Sequence, residues 1–413
     1  MTVPTPADGE PGPVSGTAVL VATTLVQAFS SAAMLLVPTM APQVGQSLGV
    51  PTALLGFQMS LLYGVAMIVS MQAGALVRRS GGCRISQHAM LLVCAGCLLI
   101  AQATPAALVA GTLALGASYG LTNPAAAHLL ARFTAARHRN LVFSIKQTGV
   151  PLGGVLAGVG APPLAKLAGW PVAFAALALV AAVSAALLQR ARPRWDDDRS
   201  PARGAAGSRT LRVLRENRPT LWLGLVGCCL AAGQLSLLTY LVAFMVEELL
   251  IGLVVAGLVM SGVHLAGAFG RIAWGVLADR IGGSLAVLAA LAVAVIAFFC
   301  ATAAVRADWP LWAVIAIFVA TGSTAVGWNG VYLAAVAQRN APDMVGEATG
   351  AVLVLTYLGV LLGPAAFAVV LSATGSYSVS FLLPAGFAGL SLIFLGLCRR
   401  AAPVDRRPAS EIA

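Results

Sequence analysis

Gly275-Val-Leu-Ala-Asp279-Arg280-Ile-Gly282 closes one long apolar run, and Gly74-Ala-Leu-Val-Arg78-Arg79-Ser-Gly81 closes another earlier in the chain. In both, an apolar stretch ends in paired charged residues and a glycine. Two further pairs match: Gly149-Val-Pro-Leu-Gly153 with Gly359-Val-Leu-Leu-Gly363, and Asn123 with Asn329. Counted as apolar runs, the pairs fall in the second and eighth, the fifth and eleventh, and the fourth and tenth. The chain therefore reads as a six-run unit that occurs twice. Such halves place a substrate cavity between them, near the membrane midplane, and let it be exposed alternately by rocking.

Composition agrees. Of 413 residues, 59% are hydrophobic and 9% charged, where soluble domains carry about 25% charged residues. The mean hydropathy of +0.90 excludes a disordered chain. A spanning helix takes about 20 apolar residues, so the length is used up by twelve spans, near 17–41, 54–77, 86–103, 105–131, 141–165 and 170–189, then 220–246, 252–277, 284–304, 309–337, 346–371 and 377–398. The expected fold is all-α and polytopic, twelve transmembrane helices in two pseudo-symmetric six-helix bundles. Its parts are a disordered cytoplasmic tail (1–16), an N-terminal bundle (17–189), a polar linker (190–218), a C-terminal bundle (219–398) and a second tail (399–413). Residues 1–16 contain no Lys or Arg, so they lack the basic region of a cleavable signal peptide.

A net charge of +11 would suggest nucleic acid in a soluble protein. Here the basic residues lie in short loops. With both termini cytoplasmic, Arg78, Arg79, Arg84, Arg132, Arg137, Arg139, the linker arginines, Arg280, Arg339, Arg399, Arg400, Arg406 and Arg407 face inside, against Lys166 and Arg306 outside. That excess sets the orientation. The expected location is a bacterial inner membrane, with the lipid bilayer as partner and no nucleic acid. Cys94-x-x-Cys97 sits inside an apolar run without an acid or base nearby and reads as packing.

Over nearly its whole length the chain resembles the major facilitator superfamily. Gly275, Asp279, Arg280 and Gly282 form that superfamily's loop motif after span eight, and Gly74, Arg78 and Arg79 its degenerate copy, with Arg78 where the family usually has Asp. The resemblance implies a motif that helps latch the inner gate. The arginine that many proton-coupled members carry early in span four is missing, and the drug-antiporter pattern of span five is only approximated by Gly149-Val150-Pro151-Leu152-Gly153-Gly154. Both departures weigh against a drug/proton antiporter. In the resembled fold helix five adjoins helix eight, so the small residues of span five would form a moving contact between halves.

A charge in the hydrocarbon costs about 2.5–3.5 kcal/mol even on lenient scales. No carboxylate lies deep in a span, and two bases do: Lys146 in span five and Arg271 in span eight. A cavity with fixed positive charge suits an anion. Arg271 is about 10 Å deep at 1.5 Å per residue, and its planar fork binds carboxylates bidentately. The register Arg271-x-x-x-Gly275-x-x-x-Asp279 is similar to that of oxalate/formate antiporters and monocarboxylate transporters, where an arginine in this helix contacts substrate. The other reading is a gate-side arginine paired with carbonyls or Asp279. Lys146, about 8 Å deep, either snorkels to the interface or faces the cavity, where Gln147 would add a hydrogen bond. His264 is a proton-responsive or substrate-binding group, or a packing histidine. Tyr63 suits an aromatic wall. Asn123, Asn329, Trp328, Gln234, Tyr240, Tyr332 and Tyr357 are weaker cavity candidates.

The expected function is a non-enzymatic secondary transporter of a small organic anion, with no cofactor or metal, acting as a monomer and coupled to a counter-anion or a proton. The alternatives are an exporter of neutral or amphipathic compounds and a non-transporting sensor or assembly protein on the same fold.

Overall fold

The computed structural model describes residues 15–135, 138–199, 214–281, 283–340 and 344–401. Twelve of its helices are long and apolar enough to span a membrane. They are α1 (Gly16–Thr39), α2 (Thr52–Ser80), α3 (Gly82–Ile100), α4 (Pro105–Phe133), α5 (Leu141–Ala168), α6 (Trp170–Trp195), α7 (Arg218–Glu247), α8 (Leu253–Ile281), α9 (Ser284–Ala304), α10 (Leu311–Arg339), α11 (Ala348–Thr374) and α12 (Tyr377–Arg400). No strand occurs among the described residues. The expected tail 1–16 lies outside them except for residues 15 and 16, as do residues 200–213 of the expected linker and the tail beyond 401. Of the linker, 190–195 continue α6 and 218 opens α7.

Local chemistry sets the helix ends. Thr104, Asn217 and Ser376 each accept a backbone N–H of the first turn of α4, α7 and α12, and Pro105 and Pro219 occupy early positions that have no N–H to satisfy. Gly81 turns the chain between α2 and α3 at φ +94°, and a Cβ there would meet the Asp196 carboxylate. That carboxylate accepts the first backbone N–H groups of α3, from Cys83 at 2.7 Å and Arg84 at 2.9 Å. Burial pushes the Asp196 carboxyl up against these hydrogen bonds, which pull it down.

Lipid supplies no hydrophobic drive between helices, so small residues and close backbones do the packing. In the first bundle Gly149 and Gly153 of α5 lie against the carbonyls of Thr24 and Ala28 in α1. In the second, Gly359 and Gly363 of α11 lie against those of Cys228 and Ala232 in α7. The repeat visible in the sequence is thus a repeated helix contact. Each bundle also has its own clasp at the end that carries the arginine-rich loops. In the first, Asp197 and Asp198 take Arg132, and Asp198 takes His128 at 3.0 Å. In the second, Asn340 Oδ1 accepts from Asn217 at 2.7 Å and Thr220 at 2.9 Å.

The bundles touch each other through α5 with α8 and α2 with α11. Four hydrogen bonds between them lie from mid-membrane to the end away from the arginine-rich loops, here the far half. Thr52 Oγ1 donates to Glu247 at 2.5 Å, Tyr240 Oη to the Ala53 carbonyl at 2.8 Å, Ser60 Oγ to the Leu361 carbonyl at 2.6 Å and Ser261 Oγ to the Val155 carbonyl at 3.2 Å. At the arginine-rich end Arg79, Asp279 and Arg280 are exposed, and Asp279 has no ion pair among the described residues. The bundles are joined at the far end and unlatched at the other.

Candidate functional site

Two of the twelve helices are interrupted, and both interruptions border the cleft. In α5 a helical stretch ends at Gln147 and another begins at Gly149. In α10 the helix stops at Ala325 and resumes at Asn329. An interruption frees backbone groups that must be satisfied inside the protein. At α10, helix α8 satisfies them: Trp274 Nε1 donates to the Ser323 carbonyl at 3.1 Å and Arg271 Nε to the Val326 carbonyl at 3.3 Å. Arg271 is therefore anchored by one N–H to a carbonyl of its own bundle and not to Asp279. Its terminal amino groups donate no hydrogen bond among the described residues, and it interacts electrostatically with Tyr119 on α4 across the cleft.

Lys146 occupies the end of the first stretch of α5 and points inward, 3% exposed. Its Nζ donates to Gln27 Oε1 of α1 at 2.8 Å and to Asn123 Oδ1 of α4. Gln27 in turn donates from Nε2 to Ser31 at 3.2 Å. Both acceptors are neutral carboxamides. No carboxylate pairs with the ammonium among the described residues, and its third N–H has no described acceptor. Asn123 interacts on its other side with Tyr357 of α11, so the polar chain from α1 reaches the opposite bundle. Tyr119, one helical turn before Asn123, meets Tyr63 edge to face with centroids 5.5 Å apart. One face of α4 thus carries Asn123, which holds Lys146, and Tyr119, which faces Arg271.

The second bundle holds its polar group differently. Gln234 Oε1 of α7 accepts from Trp328 Nε1 at 2.9 Å and Asn329 Nδ2 at 3.4 Å, where α10 restarts. Tyr332 lies edge to face on Trp328 and its hydroxyl is 3.5 Å from Thr356. Thr356 stands three residues before Gly359 as Lys146 stands three before Gly149, so the pseudo-equivalent of the lysine is a neutral hydroxyl.

The remaining candidates are dispersed. Gln147 is exposed and does not join Lys146. Tyr240 belongs to the far-end seal, stacked on Phe367. His264 is buried between α5 and α8. Gln27 and Tyr119 join the site from outside the set of residues that the sequence singles out. Gln27 had a legible signal, being the one carboxamide or charged side chain in the span Gly16–Thr39.

Twelve spans in two bundles joined at one end, with polar and cationic groups between them, have the form of an alternating-access carrier. The family model of the Major Facilitator Superfamily matches residues 20–364, and the chain belongs to that superfamily. Solved structures with the same fold include a bacterial homolog to the human lysosomal transporter Spinster, inward-facing and occupied, at TM-score 0.75 and 14% identity over 94% of this chain and 98% of that one. The same homolog, inward-facing and unoccupied, gives TM-score 0.76 and 13% identity over 93% and 97%. No curated protein matches. The chain is a multi-pass membrane protein with a transporter fold.

Proposed function

We propose that this protein is a secondary carrier of a small organic anion, a carboxylate, working by alternating access in a bacterial inner membrane with both termini cytoplasmic. Lys146 carries the reading. A buried ammonium held by two neutral carboxamides is short of a counter-charge, and burying an ion without one costs several kcal/mol. A carboxylate entering the cleft supplies that charge. Arg271 adds a second, with terminal donors suited to a carboxylate, and Tyr119 and Tyr357 supply hydroxyl groups between the two. The basic loops, in excess at the open end, support a cytoplasmic placing of that end. The preferred coupling is exchange of one anion for another, because an empty carrier with two uncompensated cations would reorient poorly.

The test is a thermal-shift series of mono- and dicarboxylates on purified protein, since a binder stabilises the folded state in proportion to ln(1 + [L]/Kd). At least one carboxylate raises the melting temperature, and Arg271→Gln weakens its binding about 10- to 100-fold, a loss of about 1.4–2.7 kcal/mol. Arg271→Lys is also impaired, because an ammonium cannot reproduce the fork. Undiminished binding by Arg271→Gln would remove Arg271 from the site. In liposomes, preloading with the bound carboxylate accelerates its uptake more than an inward proton gradient does, and the reverse ranking would reject exchange.

A further inference from the structure

The contact between α5 and α8 is a line of close approaches that runs from the far end toward mid-membrane. A Cβ on Gly257 would meet Pro162 and the Gly158 carbonyl, and one on Gly158 would meet Ser261 and the Gly257 carbonyl. A Cβ on Gly154 would lie 2.3 Å from the His264 ring. His264 is the innermost of these, 1% exposed, and its Nε2 is buried without a hydrogen-bond partner. A neutral imidazole has one donor and one acceptor nitrogen, whereas the imidazolium has two donors. The packed contact therefore offers the charged ring no acceptor for the proton it would carry at Nε2, and leaving a buried donor unmet is costly.

We propose that His264 is a proton-binding site that ties closure of the far side to pH: the joined bundles hold the neutral ring, and parting them at α5 and α8 lets water on the far side deliver a proton to it. The proton moves from solvent to the ring and no other bond changes. Several groups on the packed helices are charged or titratable: Lys146 and Lys166 on α5, Tyr240 and Glu247 on α7, Cys300 on α9, and Tyr332 and Arg339 on α10. None hydrogen-bonds to His264. The charge that acts on it is Arg271, seven residues on in the same helix and of like sign to an imidazolium. The far-closed form is therefore favoured at neutral pH and gives way as pH falls through the imidazole range. This goes beyond the anion reading and does not rest on it, because a ring buried between bundles responds whatever the cleft carries.

The experiment uses the full chain in lipid nanodiscs without added anion. Its seven cysteines are replaced, and spin labels are placed on cysteines substituted for Lys166 and Arg306, which lie at the far end on opposite bundles. The fraction of molecules with the long label distance rises by up to about tenfold between about pH 7.5 and about pH 5.5, a window around the ordinary imidazole value near 6.5. His264→Gln and His264→Phe each flatten that response. An unchanged response in both histidine variants overturns the proposal. So does the absence of a response in the histidine-containing protein. Since no carboxylate enters the experiment, a failure here leaves the thermal-shift result untouched, and a failed carboxylate screen leaves this one standing.

Discussion

The two bundles share a helix contact and differ in what they place beside it. In the first, Gly149 and Gly153 bring α5 against α1, and the residue three before Gly149 is a buried lysine held by carboxamides from α1 and α4. In the second, Gly359 and Gly363 bring α11 against α7, and the residue three before Gly359 is Thr356, with a tryptophan, a glutamine and an asparagine satisfying one another nearby. The second interior is self-sufficient around Gln234, and Arg271 caps the Val326 carbonyl that the break in α10 frees while its terminal N–H groups keep no described acceptor. The first has an unbalanced positive charge. Repetition of a backbone contact does not repeat its chemistry, and the imbalance marks where a ligand of opposite charge has most to gain.

The comparison breaks most easily at Lys146. Lys146→Met removes the imbalance, so binding of the carboxylate that stabilises the unaltered protein falls by about 100-fold or more, in line with about 3 kcal/mol for truncating one side of a buried charged contact. The ligand-free protein becomes more stable, because an uncompensated ion has left the interior. Thr356→Val, the matching change in the second bundle, leaves binding within about threefold, since it removes no charge, only a long contact with Tyr332 and the hydroxyl's donation to the Val352 carbonyl of its own helix. Titration calorimetry on both variants decides the matter. Equal losses at Lys146 and Thr356 would mean that the asymmetry has no bearing on the ligand.

The second effect sharpens the distinction between contacts within a bundle and contacts between bundles. Gly158→Val pushes side-chain atoms into Ser261 and the Gly257 backbone of the other bundle. The cost, about 1–3 kcal/mol for overpacking, is relieved by parting the bundles, so a cysteine placed at Ser60 becomes reactive from the far side. Gly359→Ala meets the Cys228 carbonyl inside one bundle. No rocking relieves that clash, so this variant loses thermal stability and the Ser60 cysteine stays protected. Far-side labelling in both variants, or in neither, would show that α5 and α8 are not the moving surface.

The smallest effect concerns the clasps. Arg132 donates to the exposed Asp197 carboxylate and holds its carboxyl below the usual range. That contribution is complete above the ordinary carboxylate value near 3.9 and is lost as pH falls through the lower folded value, so acid loosens the first clasp. The side-chain hydrogen bonds of Asn217, Thr220 and Asn340 carry no titrating group and do not follow. Amide exchange at the arginine-rich end of α4 therefore rises modestly in acid after correction for intrinsic rates, and that of α7 does not. Exposure and salt keep the first effect small. A parallel rise in both bundles would point to general unfolding.

Twelve spans, their breaks into loops, the doubled six-helix unit and the two deep cations could all be read from one dimension, because membrane insertion is governed by local composition: about 20 apolar residues in a row, a charge where one is costly, arginines in short loops. The same rule, extended from charges to lone carboxamides, would have picked out Gln27. Other facts needed the folded chain. Lys146 and Arg271 looked alike as isolated charges. Only packing decided that one meets two carboxamides from α1 and α4 and the other the freed carbonyl of Val326. Tyr240 was indistinguishable from Tyr357 until one fell in the far-end seal and the other beside Asn123, and nothing around His264 in the chain foretold Gly154 as its neighbour. These are contacts between residues tens to hundreds of positions apart, set by which helix faces meet, and in a helix apolar on every side the sequence carries little record of which face that is.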